Sequence, residues 1–145
     1  MKLSMYLIGF IVLILGLNSG CQRSGLRPIS ENSVPTTAVA VVHFDFDRFQ
    51  LKEDQKQFLV RQIQKWKGHN QLTLVLEGHA DRVGEAPYNL ELGARRALQV
   101  KWILVQEGFV PEQLVEVSLG QSRPLNDSNT PEERALNRRV ELYLR

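Results

Sequence analysis

Apolar and polar positions change period several times along this chain, and each change marks an element. From Val39 the period is two: Ala40, Val42, Phe44 and Phe46 share one face while Val41, His43, Asp45 and Asp47 share the other, which predicts a strand with an acidic outer end. Leu51, Phe58, Leu59, Ile63 and Trp66 then fall on one helical face, and Gly68 with Asn70 closes the run as a helix C-terminus does. Alternation returns in Leu72-Thr73-Leu74-Val75-Leu76-Glu77 with the leucines inward, and Gly78 breaks this second strand so that His79, Ala80 and Asp81 emerge on a loop. Tyr88 to Glu107 is helical again, with Pro87 in its first turn and Gly108 at its end.

Val115, Val117 and Leu119 alternate with Glu116 and Ser118 as a third strand ended by Gly120. Thr130-Pro131-Glu132-Glu133 has the form of a capping box with proline at the first helical position, which predicts a short helix. In the last strand, Arg138 to Leu144, Val140, Leu142 and Leu144 point one way and Arg139, Glu141 and Tyr143 the other; Arg138 has the inward parity but sits at the rim. The order β-α-β-α-β-(α)-β, with two long amphipathic helices between one-sided strands, predicts an α/β (α+β) two-layer sandwich with the helices on one face.

The N-terminal part follows other rules. Lys2, the apolar run Tyr6 to Leu17 and the small or polar Asn18-Ser19-Gly20 read as an export signal over residues 1–20, because the run is shorter than the roughly 20 residues a spanning helix needs. Cys21 is the only cysteine, so no intramolecular disulfide and no cysteine metal cluster can form. Leu17-Asn18-Ser19-Gly20-Cys21 resembles a bacterial lipobox, with Asn18 where leucine is usual, which implies acylation of Cys21. Several acyl chains, at about 0.8 kcal/mol per buried CH₂, give stable anchoring, and Gln22 resembles the sorting pattern for the outer membrane. Residues 21–38, rich in Ser, Pro and Asn, then form a tether, and residues 39–145 form the single folded domain.

Charge narrows the partners. The formal net charge is +2, and loss of residues 1–20 would take away only Lys2. Basic and acidic residues are interleaved from Lys52 to Arg145, so the clustered basic surface that nucleic acid demands is missing.

One position breaks the pattern. Leu92, Val100 and Ile103 line one face of the second helix, and Arg96 lies on that same stripe, four residues from Leu92 and from Val100. A buried guanidinium without a counter-charge costs several kcal/mol, so a carboxylate of the protein or of a ligand is expected to meet it. The nearest acidic segment in the pattern is Glu77-Gly78-His79-Ala80-Asp81. Arg95, one position off the stripe and four from Glu91, reads as a solvated helix pair.

Two other readings of the polar clusters compete. His43, Asp45, His79 and Asp81 could gather around a divalent metal as a periplasmic hydrolase does, but no His-Glu-x-x-His helix, cysteine pair or aspartate-rich calcium loop accompanies them, and no serine sits in a glycine elbow. In the other, Asp45, Asp47 and Asp81 are turn or surface residues, His43, His69 and His79 are hydrogen-bonded or surface residues, and Trp66 and Trp102 are packing residues.

The separated motifs Phe44-Asp45-Phe46-Asp47, Glu77-Gly78-His79-Ala80-Asp81 with Gly84, Tyr88-Asn89, Leu92, Arg95-Arg96-Ala97, Gly120, Pro124 and Asn137-Arg138-Arg139-Val140 occur in one order from Val39 to Leu144. In that order they resemble the OmpA-like family of peptidoglycan-binding domains, which includes the peptidoglycan-associated lipoproteins. The resemblance implies non-covalent capture of the peptidoglycan stem peptide through its meso-diaminopimelate, without catalysis, metal or cofactor. Asp81 stands at the family position that holds the ligand's ammonium and Arg96 at the one that holds its carboxylate. Asp47, Asn89, Asn137 and Arg138 stand at matching positions on the rim or behind it, while Val83 replaces a polar residue of some relatives. The resemblance further implies an outer-membrane lipoprotein whose domain lies in the periplasm and works with Tol proteins in envelope integrity and cell division.

Overall fold

The computed structural model describes residues 37–126 and 128–145. The leader over residues 1–20, Cys21 and the tether up to residue 36 lie outside the described residues. The elements run β1 (Ala40–His43), α1 (Glu53–Ile63), β2 (Leu74–His79), α2 (Ala86–Gln106), β3 (Leu114–Gly120), α3 (Pro131–Asn137) and β4 (Arg139–Leu144), with a 3₁₀ turn after α1 and another before β3. The strands form one sheet in the order β1-β4-β2-β3. The last strand of the chain therefore enters between the first two, antiparallel to both, while β2 and β3 pair in parallel. A parallel pair needs a crossover, and α2 supplies it.

The period-two and period-3.6 stripes meet as expected. Val42, Leu74, Leu76, Val140 and Leu142 of the sheet pack in one cluster with Leu59 and Ile63 of α1 and Ala97, Val100, Ile103 and Leu104 of α2. Burying each such aliphatic side chain stabilises the fold by about 1.5–3 kcal/mol, so this layer holds the sandwich closed. Thr130 caps α3 by accepting from Glu133 N at 3.3 Å, and its hydroxyl donates to the Glu133 carboxylate at 3.0 Å.

Four expectations change. β1 stops at His43: Phe44 keeps its inward place at 4 % exposure, but Phe46 is 58 % exposed. A turn closed by Arg48 N donating to Asp45 O ends the alternation, and Asp47 takes a φ of +53°, which aspartate tolerates better than most side chains. In β2, Gly78 continues the strand instead of breaking it, so His79 is a strand residue and Ala80 and Asp81 are buried behind it. Gly78 is needed for contact, because a Cβ there would stand 2.0 Å from Gly93 O of α2.

β3 turns its valines away from the helices. Glu116 and Ser118 are paired with Leu76 and Gly78, and they face α2, where Glu116 meets Lys101 and Ser118 Oγ donates to Leu90 O. Val115 and Val117 are left 44 % and 37 % exposed on the other face. Trp66 packs at the edge of the core, but Trp102 is 56 % exposed and is not a packing residue.

Candidate functional site

The ends of β1, β2 and β4 and the first turns of α2 converge on one cavity. Its volume is about 250 Å³, and its walls are Phe46, Asp47, Asp81, Val83, Gly84, Tyr88, Asn89, Leu92, Arg96 and Arg138. That lies at the small end of ligand pockets, which run from about 300 Å³ upward, and suits one amino-acid residue of a larger ligand.

Arg96 backs this cavity and is fully buried. Its partners are backbone carbonyls: Nε donates to Arg48 O at 2.9 Å, Nη1 to His79 O at 2.8 Å and Nη2 to Asp45 O at 3.2 Å. The Phe44 ring lies 5.2 Å from the guanidinium carbon. The expected protein carboxylate is not there: among the described residues no acidic side chain forms an ion pair with Arg96. Guanidinium has five N–H donors, so two remain, one on each terminal nitrogen. Burial lowers the Arg96 pKa to about 10, with Asp81 opposing that effect and Arg138 adding to it. The group stays charged at neutral pH.

Asp81 is held on every side. Its Oδ1 accepts from Val83 N at 3.0 Å and its Oδ2 from Arg138 Nη1 at 3.0 Å. Arg138 also donates from Nε to Phe44 O, which ties the start of β4 to the end of β1. Asn89, only 1 % exposed, shares its amide between Asp81 O, Val83 O and the Gln121 side chain, so α2 fixes the loop in place. Gly84, at a φ of +96°, gives that loop the left-handed turn it needs before α2. Each Asp81 oxygen keeps a free lone pair for an incoming donor.

Asp47 is exposed at the mouth, where it accepts from Tyr88 Oη; that bond raises the Tyr88 pKa. Of the residues singled out from sequence, Asp47, Asp81, Asn89, Arg96 and Arg138 share the cavity. Asn137 does not line it. Its Oδ1 accepts from Leu125 N at 2.8 Å, so it braces the loop that follows β3. Phe46, Tyr88 and Leu92 line the cavity without having been assigned to it. For Tyr88 a signal existed, since it stands one residue from Asn89 in the same motif.

The metal set His43, Asp45, His79 and Asp81 does not assemble. Asp45 pairs with Lys52 at 2.8 Å and Asp81 with Arg138, while His43 offers its backbone N–H to Gln55 Oε1. His79 lies instead beside Glu77 and Glu141. Burial holds the His79 pKa down at about 4, helped by Arg139 and opposed by Glu141. Arg95 pairs with Glu91 on the surface of α2, as its spacing predicts.

Comparison with known proteins agrees with this architecture. The OmpA family profile matches residues 43–138. The peptidoglycan-associated lipoprotein of Pseudomonas aeruginosa is 37% identical over 127 residues, covering 88% of this chain and 73% of that protein. The crystal structure of the peptidoglycan-associated lipoprotein from Burkholderia pseudomallei superposes with a TM-score of 0.69 at 32% identity, over 72% of this chain and 89% of that one. The C-terminal domain of Helicobacter pylori MotB gives a TM-score of 0.65 at 26% identity, over 73% and 84%. With two thirds of its length inside the profile and relatives above 30% identity over most of their own length, this chain belongs to the OmpA family.

Proposed function

We propose that this protein binds peptidoglycan without cleaving it, by clasping the diaminopimelate of a stem peptide between Arg96 and Asp81. The observation that carries the reading is Arg96: a fully buried guanidinium with no acidic partner among the described residues, backing a cavity that also holds an aspartate. A ligand carboxylate would satisfy its two spare N–H donors in the bidentate geometry that guanidinium favours. A ligand ammonium would find only acceptors on Asp81. A zwitterion answers both charges at once.

Supporting the reading further, the relatives from Pseudomonas aeruginosa and Burkholderia pseudomallei are named peptidoglycan-associated lipoproteins. Lipidation at Cys21 would fix one end of the chain in the outer membrane while the domain reaches the wall from the periplasmic side. Many weak clasps held near their target by such anchors act together through effective concentration. A role beside Tol proteins in envelope integrity and division follows by analogy with the family.

Calorimetric titration of the full chain in detergent with a diaminopimelate-containing stem peptide tests this. Binding at one site per chain, weakened at least about tenfold in Asp81→Asn, is expected. No heat of binding, or equal binding by that variant, overturns it.

A further inference from the structure

We propose that Glu77, His79 and Glu141 form a site for one divalent transition-metal ion of the zinc type, separate from the peptidoglycan cavity. Two independent features of the sheet point to it.

The first is His79. Its side chain is 1 % exposed, and neither Nδ1 nor Nε2 has a hydrogen-bond partner. A neutral imidazole carries one donor and one acceptor, and folded proteins rarely leave either unsatisfied in the interior. The second is a like-charge pair. β2 and β4 place Glu77 directly opposite Glu141, an arrangement that repels across neighbouring strands. Glu141 is compensated by Arg139 Nε at 2.6 Å and by Tyr143 Oη, but the Glu77 carboxylate has no hydrogen bond or ion pair among the described residues.

The three side chains lie close enough to share an ion. One donor atom from each falls within 4.8 Å of the other two. Tetrahedral zinc, with bonds of about 2.0–2.2 Å, sets its ligand atoms about 3.4 Å apart. Small side-chain rotations close the difference, and water completes the fourth position. One imidazole nitrogen with two carboxylates suits zinc and its neighbours in the first transition row better than calcium or magnesium, which prefer oxygen throughout.

Arg139 is the feature that opposes a cation here. It is anchored independently of Glu141, through Nη1 to Asn137 O and Nη2 to Arg123 O. It can therefore remain as an outer partner that orients Glu141, as Tyr143 does on the other oxygen, in the way hydrogen-bonded carboxylates commonly serve metals. Its charge lowers affinity, so the ion is exchangeable and not a condition of folding. The site cross-links the two central strands just before β2 delivers Asp81 and just after Arg138 leads into β4.

The test uses the full chain in detergent, free of any affinity tag and stripped with chelator, titrated with zinc chloride by calorimetry and with cobalt(II) by visible absorption. One zinc per chain, a tetrahedral cobalt spectrum and a raised melting temperature are expected. Glu77→Gln replaces a side chain with no structural partner, so it keeps the far-ultraviolet circular dichroism of the parent and is expected to weaken zinc by at least about tenfold. The double variant His43→Gln/His69→Gln is expected to bind zinc as the parent does. Absence of binding at millimolar zinc, equal binding by Glu77→Gln, or loss of binding in the double variant overturns the proposal.

Discussion

Arg138 Nη1 donates to Asp81 Oδ2 at 3.0 Å across 57 residues of sequence, so the acid that faces the cavity is already held by a cation of the protein. The pair is nearly closed to water, with side-chain exposures of 16% for Arg138 and 5% for Asp81. Its effect is to aim Asp81, because the remaining bond to Val83 N fixes only the other oxygen. Arg138→Gln is therefore expected to weaken stem-peptide binding about tenfold and to destabilise the domain by about 2 kcal/mol, below the 3–5 kcal/mol of a fully buried pair. Calorimetry and a urea melt read the two effects separately. Unchanged affinity would mean that Asp81 needs no help in pointing at the ligand.

Asp81→Asn keeps the shape and the bond from Val83 N while removing the charge. A hydrogen bond to a charged group contributes about 1.5–3 kcal/mol, so affinity should fall roughly 10- to 100-fold. The same titration checks it, and a loss below threefold would remove the ammonium from the proposed pose.

Arg96→Lys separates charge from geometry. Lysine keeps the positive end but cannot reach the Arg48, His79 and Asp45 carbonyls together as the planar fork does. Each buried acceptor left without a donor costs about 1–3 kcal/mol, so a loss of about 3 kcal/mol or more in a denaturant melt is expected, together with loss of binding. A variant that bound weakly yet melted like the parent would show that Arg96 serves the ligand alone.

The need for this arginine to be satisfied was legible in the sequence; the means was not. Arg96 interrupts an apolar stripe that Leu92, Val100 and Ile103 define, and period alone reveals that. Its partners are carbonyls in the turn after β1 and at the end of β2, and a carbonyl belongs to every residue, so no letter of the sequence points to them. The same limit explains Gly78. Glycine inside a strand signals either a break or a close approach, and only the position of Gly93 on the packed helix decides for the approach. The parity of β3 failed for a related reason: its valines look like a core stripe until the pairing with β2 turns Glu116 and Ser118 toward α2. By contrast, element order, both long helices and the Thr130 cap could be read directly, since periodicity and capping depend on neighbours in sequence.

The pH profile of binding distinguishes a guanidinium clasp from a histidine site. Arg96 is a cation whose pKa burial lowers to about 10, so it is charged below that value and loses its charge as pH rises through it. Affinity is expected to be flat from about pH 6 to pH 8.5 and to fall toward pH 10 and above, where amine-type ligand groups near 10.4 also discharge. A site built on an imidazole of ordinary pKa would instead give a step between about pH 5 and 8. Such a step in calorimetric affinity would reject the clasp.

Gly93→Ala tests whether the site depends on how closely α2 lies on the sheet. In the interior of a helix this change is favourable by about 1 kcal/mol from propensity alone. Here the new Cβ would meet Ser118 Oγ at 2.5 Å and Gly78 O at 2.8 Å. Both contacts are too short, and overpacking typically costs about 1–3 kcal/mol, so the clash should outweigh the gain in propensity. Ser118→Gly in the same chain removes the first contact but not the second, which is backbone, so it should restore only part of the lost melting temperature. Arg96 is one turn further along α2, and any lift of the helix also shifts it from the Arg48, His79 and Asp45 carbonyls. Binding should thus weaken in Gly93→Ala although residue 93 is not part of the cavity wall, and recover in step with stability in the double variant. If Gly93→Ala melted higher than the parent and bound the stem peptide equally well, the close approach of Gly78 and Gly93 would have no part in placing the arginine.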